Sequence, residues 1–299
     1  MTVKIQGRQT LDRKAQMEMQ NKEIAETLRH IKNKILVMSG KGGVGKSSVA
    51  AYLSVALAKK GYHVGLMDVD LHGPSIPRIL GLKGSHDFAG NKGKMLPVRY
   101  LPNMEVISIE TLMGENKDAP TIWRGPLKIG AIRQFISDIE WMNLDYLVID
   151  SPPGTGDEPL TVAQTIPDAK ALIVTTPQEV SLADVRKSIN FCRQVKMEIL
   201  GLVENMSGLT CPYCGEIIDV FKTHGGEATA RRENLRLLAT LPLEVEVVKK
   251  GDSGDISLLD NQALSITREF NKMVDQIVKL TGSNTIVSSQ DDQGYFKAG

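Results

Sequence analysis

Eight consecutive residues, Gly40-Lys41-Gly42-Gly43-Val44-Gly45-Lys46-Ser47, put a flexible backbone, two cations and a hydroxyl into one short loop. They fit the pattern G-x-x-x-x-G-K-[ST] at every fixed position. Glycines at these spacings let successive backbone N–H groups turn inward on phosphate oxygens. Lys46 is expected at the β- and γ-phosphates, and the Ser47 hydroxyl on Mg²⁺. An apolar run, Lys34–Ser39, leads into the loop and a helical stretch, Lys46–Lys60, leaves it, so a helix N-terminus adds positive potential where phosphate would sit.

Two acidic segments belong to the same chemistry. Asp68-Val69-Asp70 closes a second apolar run. Carboxylates at a strand's C-terminal end can hold a metal's water shell or orient an attacking water, although Asp68 equally suits a structural strand-end role. Asp150 follows the run Leu147-Val148-Ile149 and opens Ser151-Pro152-Pro153-Gly154. It is expected to act on Mg²⁺, directly or through water, with Gly154 placed to sense a γ-phosphate through its N–H.

Cys211-Pro212-Tyr213-Cys214-Gly215 forms a different kind of site, a C-x₂-C knuckle with turn residues inside and after it. Structural zinc, an iron–sulfur cluster and a redox dithiol all use such a pair. The dithiol is disfavoured because the pair does not open a helix directly after a buried strand. Four ligands are the usual requirement, and this chain supplies two here. His224 is a weak third candidate, and the shortest route to four thiolates is a two-fold dimer. Cys192 shares a helical face with Leu182, Val185 and Ile189, and is expected to be a core thiol. His72 reads as a polar loop residue.

Several elements must position these groups. Strands are expected at Lys34–Ser39, His63–Asp68, Glu105–Ile109, Asp145–Asp150, Ala171–Thr175, Leu200–Asn205 and Leu237–Leu241. Helices are expected at Lys46–Lys60, Leu127–Glu140, Ser181–Lys196, Gly226–Asn234 and Gln262–Leu280. Alternation of this kind predicts an α/β fold with a doubly wound, mostly parallel β-sheet flanked by helices. Residues 1–33 read as a leader with an amphipathic helix from Leu11 to Ile31, residues 34–281 as one domain, and 282–299 as a flexible polar tail.

Composition bounds the partners. Lys and Arg total 36 against 35 Asp and Glu, a formal net charge of +1, so bulk electrostatics favours neither nucleic acid nor anionic membrane. No apolar run reaches the roughly 18 residues of a membrane span, and no secretory signal opens the chain, so a cytoplasmic location is expected. Three cysteines in a chain of this length exclude a disulfide scaffold.

The second loop cation, Lys41, is not required by an ordinary phosphate loop. KGGVGKS resembles the deviant Walker A loop of the MinD/ParA (SIMIBI) class of P-loop NTPases, which implies that Lys41 reaches a partner subunit's nucleotide. The same resemblance assigns water activation to Asp70 and adenine reading to Asn205, at the end of Val203-Glu204-Asn205. No N-K-x-D guanine-reading motif occurs, so ATP is expected over GTP. Lys41, Lys46 and Asp70 are then the candidate catalytic residues. Gly40, Lys41, Gly42, Gly43, Val44, Gly45, Lys46, Ser47, Ser48, Gly154 and Asn205 would contact ATP, with Ser47 and Asp150 on Mg²⁺.

KGGVGKSS, DVDLHGPSIPRILG, DYLVIDSPPGTGDE, TTPQEVSLADVRK, VENMS and CPYCG occur in this order. Together they resemble the Mrp/ApbC/Nbp family of P-loop ATPases over about Lys34 to Leu280. That resemblance implies slow ATP hydrolysis, a homodimer holding a [4Fe–4S] cluster on the paired Cys211 and Cys214, and cluster delivery to apo iron–sulfur proteins. The chain departs from relatives with an N-terminal four-cysteine motif, because no cysteine precedes Cys192. It also lacks room for the small additional N-terminal domain of many bacterial members. Two alternatives stay open: a MinD/ParA-like spatial switch, and the same ATPase with structural Zn²⁺ at the knuckle. The switch would need a basic amphipathic anchor or a DNA-facing patch, and the tail carries one lysine.

Overall fold

The computed structural model describes residues 17–71, 73–82, 94–110, 125–220 and 224–282. Helix α1 (residues 17–29) is followed by strand β1 (Ile31–Ser39), α2 (Lys46–Lys59), β2 (Val64–Asp68), α3 (Ile76–Ile79), β3 (Val98–Leu101) and β4 (Met104–Ser108). Then come α4 (Gly125–Asp138), β5 (Leu144–Asp150), α5 (Asp157–Thr165), β6 (Lys170–Thr175), α6 (Glu179–Gln194) and β7 (Ile199–Glu204). A short hairpin, β8 (Leu209–Thr210) and β9 (Ile217–Ile218), precedes α7 (Gly225–Glu233), β10 (Leu237–Thr240), α8 (Val245–Ser253) and α9 (Ser265–Thr281).

Eight strands form one sheet in the order β10-β7-β6-β1-β5-β2-β4-β3, every pairing parallel except β3 with β4. The apolar runs are continuous because both faces are covered. In β1, Ile35 and Val37 pack on one face with Tyr52, Leu53 and Phe270, from α2 and α9. Leu36 and Met38 pack on the other, with Phe135 and Ile189 from α4 and α6. This alternation follows the two-residue period of a strand. On α9, Ile266, Phe270, Met273 and Ile277 are all buried, as their four-three-four spacing predicts.

Several bounds differ from expectation. β1 begins at Ile31, whose register partner is Leu144, so the leader helix ends at residue 29 and residues 31–33 belong to the sheet. The extra strand residues arise from parallel pairing with β5, a long-range contact that helical spacing does not report. The expected helical residues 11–16, His72 and the tail residues 283–299 lie outside the described residues. α3, β3, α5, α8 and the β8–β9 hairpin are additional to the expected elements. Among the described residues, no helix is long and apolar enough to cross a membrane.

Candidate functional site

β1 is central in the sheet, so the loop that follows it emerges between its neighbours β5 and β6. Crevices beyond the carboxyl ends of parallel strands are where open α/β sheets bind ligands. Gly45 caps α2 with φ +79°, and a Cβ there would come within 2.2 Å of the Asn205 amide nitrogen. Only glycine suits that conformation and that contact. Lys46, first residue of α2, is buried and places its ammonium 2.5 Å from Asp150 Oδ1 and 3.2 Å from the Ser47 hydroxyl.

Asp150 is fully buried at the end of β5, and its Oδ2 has no hydrogen-bond partner. Burial pushes its carboxyl up from the ordinary range, and Lys46 pulls against that shift. An orphaned carboxylate oxygen beside a serine hydroxyl is a donor set that suits a hard divalent cation, so the residues fit Mg²⁺. Register places Asp68 directly opposite Asp150. Asp68 is also fully buried and its carboxyl stands well above the usual value, first through burial and then through the Asp150 charge. It accepts hydrogen bonds from the Asp70 N–H (3.0 Å), the Ile76 N–H (3.4 Å) and the Ser108 hydroxyl (3.2 Å). Of the two roles open to Asp68, these bonds favour the structural one: it shapes the loop carrying Asp70. The buried Asp70 in turn accepts the Gly73 N–H at 3.2 Å.

Lys41 is exposed and forms no ion pair with any described residue, while its carbonyl accepts the Ser39 hydroxyl at 2.9 Å. The Gly154 N–H donates to the Ser39 carbonyl at 2.8 Å, so sensing a γ-phosphate requires that bond to open. The Asn205 side chain donates to the Val44 carbonyl at 2.9 Å, which docks the end of β7 against the phosphate loop. Beside it lies a cavity of about 230 Å³, bounded by Gly45, Ser48, Asn205, Leu241, Pro242 and Phe270. Leu241 and Pro242 carry no sequence signal for this duty, because an apolar residue in a cavity wall looks like any core residue.

Cys211 and Cys214 occupy the turn between β8 and β9. The Cys211 N–H donates to the Glu216 carbonyl at 2.8 Å and the Gly215 N–H to the Cys211 carbonyl at 2.9 Å, closing the knuckle. The N–H groups of Cys214 and then Tyr213 turn on the Cys211 sulfur and hold its thiol below the ordinary value. That arrangement favours a thiolate, the form that ligates metal. Tyr213, Ile217, Ile218 and Val220 form an exposed apolar surface around the pair. Among the described residues no group of three or more His, Cys, Asp or Glu is gathered for a metal. His224 is exposed and faces Glu227 at 3.4 Å. Cys192 is fully buried and its thiol is pushed up to about 12, the core position its helical face predicted.

With the Lys46 ammonium against Asp150 at the end of β5 and the loop at the head of a parallel sheet, the fold and the site define a class: a P-loop NTPase. The family model described as ParA, NUBPL iron-transfer P-loop NTPase, matches residues 30–278, and the chain belongs to that family. It is 45% identical over 270 residues to an iron-sulfur cluster carrier protein of Methanocaldococcus jannaschii, covering 90% of this chain and 91% of that protein. It is likewise 45% identical over 245 residues to the cytosolic Fe-S cluster assembly factor CFD1 of Eremothecium gossypii, covering 78% of this chain and 86% of that one. A solved structure of a nucleotide-binding protein from Archaeoglobus fulgidus, in complex with ADP, superposes with a TM-score of 0.71. It is 39% identical, and the match covers 84% of this chain and 96% of that chain.

Proposed function

We propose that the protein is a slowly hydrolysing ATPase that carries a [4Fe–4S] cluster between two identical subunits in the cytoplasm and delivers it to apo iron–sulfur proteins. The observation that carries the reading is the knuckle: two thiols, Cys211 half-buried and favoured as thiolate and Cys214 exposed, on a hairpin with exposed apolar side chains and without a third ligand among the described residues. A second copy related by a two-fold axis completes four thiolates and covers Tyr213, Ile217 and Ile218.

In this reading Lys46 and the loop N–H groups bind the phosphates, and Ser47 and Asp150 hold Mg²⁺, which neutralises charge developing on the β- and γ-oxygens. Asp70 orients the attacking water. Lys41, exposed and with no ion pair among the described residues, reaches the nucleotide of the second subunit. Asn205 exchanges the Val44 carbonyl for the adenine edge, and Gly154 exchanges the Ser39 carbonyl for the γ-phosphate. ATP thereby closes the dimer and hydrolysis relaxes it, changing the geometry at the cysteines.

Anaerobic reconstitution with iron and sulfide should yield about four iron atoms per dimer, lost in Cys211→Ala. Zinc as the sole metal of anaerobically purified protein would instead establish the structural clamp, since thiolates suit both. If neither saturating ATP nor Lys46→Ala alters the rate of cluster transfer, the coupling is wrong.

A further inference from the structure

Glu204 is a carboxylate with no place in the nucleotide chemistry above, yet it is fully buried at the end of β7. Burying a charge is costly unless hydrogen bonds hold it, and its two oxygens are taken by the two ends of one segment. Oε1 accepts the Ser207 hydroxyl at 2.5 Å. Oε2 accepts the Gly226 N–H in the first turn of α7, where a helix N-terminus favours an anion. Between Ser207 and Gly226 lies the whole hairpin bearing Cys211 and Cys214. The fit around the carboxylate is close: a Cβ on Gly226 would lie 2.7 Å from Glu204 Oε2.

The two arms of that segment are otherwise held unequally. The entry arm pairs with the strand-like stretch at 241–243: the Ser207 N–H donates to the Leu241 carbonyl, the Leu243 N–H to Gly208 and the Thr210 N–H to Leu243. The described part of the exit arm, after β9, has no comparable ladder to the sheet, and Glu204 ties its end at Gly226 to the same strand.

We infer that Glu204 is the positioning residue for the cysteine knuckle, fixing both ends of its hairpin to the strand end that docks on the phosphate loop through Asn205. A site shared by two subunits needs each thiol pair held at a fixed angle to the core, because neither chain alone completes it. The inference deepens the proposed cluster-binding role, and its first test is independent of any metal.

In metal-free protein, amide hydrogen exchange across residues 207–220 and 224–226 should accelerate about tenfold in Glu204→Ala, with β1, β5 and β6 amides unchanged. Glu204→Gln, which keeps the shape and one acceptor, should restore most of that protection. Ser207→Ala releases the entry end alone and serves if Glu204→Ala does not fold; it should accelerate exchange locally by a smaller factor. In the second arm, Co²⁺ serves as the metal probe, with its thiolate absorption followed during chelator challenge. Release should be faster in Glu204→Ala and Ser207→Ala than in wild type, with ADP affinity within about twofold for Ser207→Ala. Exchange that rises uniformly over the core, or not at all, in these variants would overturn the inference. Wild-type protein that takes no Co²⁺ at the knuckle would count against the metal reading and leave the exchange result to decide the positioning role.

Discussion

Lys41 and Lys46 are five positions apart in one loop, and their surroundings separate their duties. Lys46 is buried against Asp150, so Lys46→Ala removes the phosphate cation and strands a buried carboxylate. Its ATP affinity should fall tenfold or more by calorimetry. Lys41 is exposed with no ion pair among the described residues, so Lys41→Ala should bind ATP as wild type does and yet fail to dimerise with it. Light scattering with and without ATP distinguishes the two, and an unchanged ATP-bound mass in Lys41→Ala removes its role across the interface. The thiols separate in the same way. Cys211, held low by the N–H groups of Cys214 and Tyr213, should be carboxymethylated with a pH midpoint below the roughly 8.5 of a free cysteine. Cys192, pushed up to about 12 by burial, should stay unmodified in the native protein. Peptide mapping over a pH series reads both, and a Cys211 midpoint at or above that of free cysteine would contradict the geometry.

At the scale of elements, β5 carries chemistry at one end and assembly at the other. Asp150 closes it beside the loop, whereas Asp145 near its start ties three segments together. Asp145 accepts the Lys32 ammonium at 2.7 Å and the His63 N–H at 2.9 Å. Burial pushes its carboxyl up, but Lys32 and the His63 N–H outweigh burial and hold it below the usual range. A folded pKa below the unfolded value of about 3.9 stabilises fully above that value, and the contribution is lost as pH falls through the folded pKa. Asp145→Asn should therefore cost about 1 kcal/mol near neutral pH, since Lys32 is mostly exposed and screened. Denaturant melts of variant and wild type should converge in acid, once pH has fallen below the depressed pKa of Asp145. A difference that persists in acid would assign the effect to packing. The approach of the phosphate loop to α6 is equally demanding: a Cβ on Gly40 would lie 2.3 Å from the Asp184 backbone carbon.

For the whole molecule, the two chemistries rest on supports of different stiffness. The loop and its carboxylates sit between two buried clusters that cover both faces of the sheet. Cys211 and Cys214 lie outside those clusters, on a two-stranded hairpin whose Tyr213 is 97% exposed. Cys214→Ala, at an exposed position, should change stability by no more than about 0.5 kcal/mol and leave nucleotide affinity unaltered while abolishing metal retention. Thermal melts, calorimetry and metal analysis of one preparation test this. Loss of nucleotide binding in that variant would make the knuckle part of the nucleotide site rather than a separate module.

Most of the site was legible in the sequence because its parts are contiguous. A loop of fixed glycine spacing, a carboxylate after an apolar run and a C-x₂-C pair each announce their chemistry locally, and alternating strands and helices announce the parallel sheet. Tertiary structure decided what depends on distant partners. It extended β1 to Ile31 by pairing with Leu144, and favoured a structural role for Asp68 by bringing Asp70, Ile76 and Ser108 onto its carboxylate. It also seated Gly154 and Asn205 on the carbonyls of Ser39 and Val44. Glu204 shows the limit most clearly. In sequence it is one acid at the end of an apolar strand, and its partners Ser207 and Gly226 are three and twenty-two residues on. A hydrogen bond forms where folding brings donor and acceptor together, and no local pattern of residue types encodes that meeting.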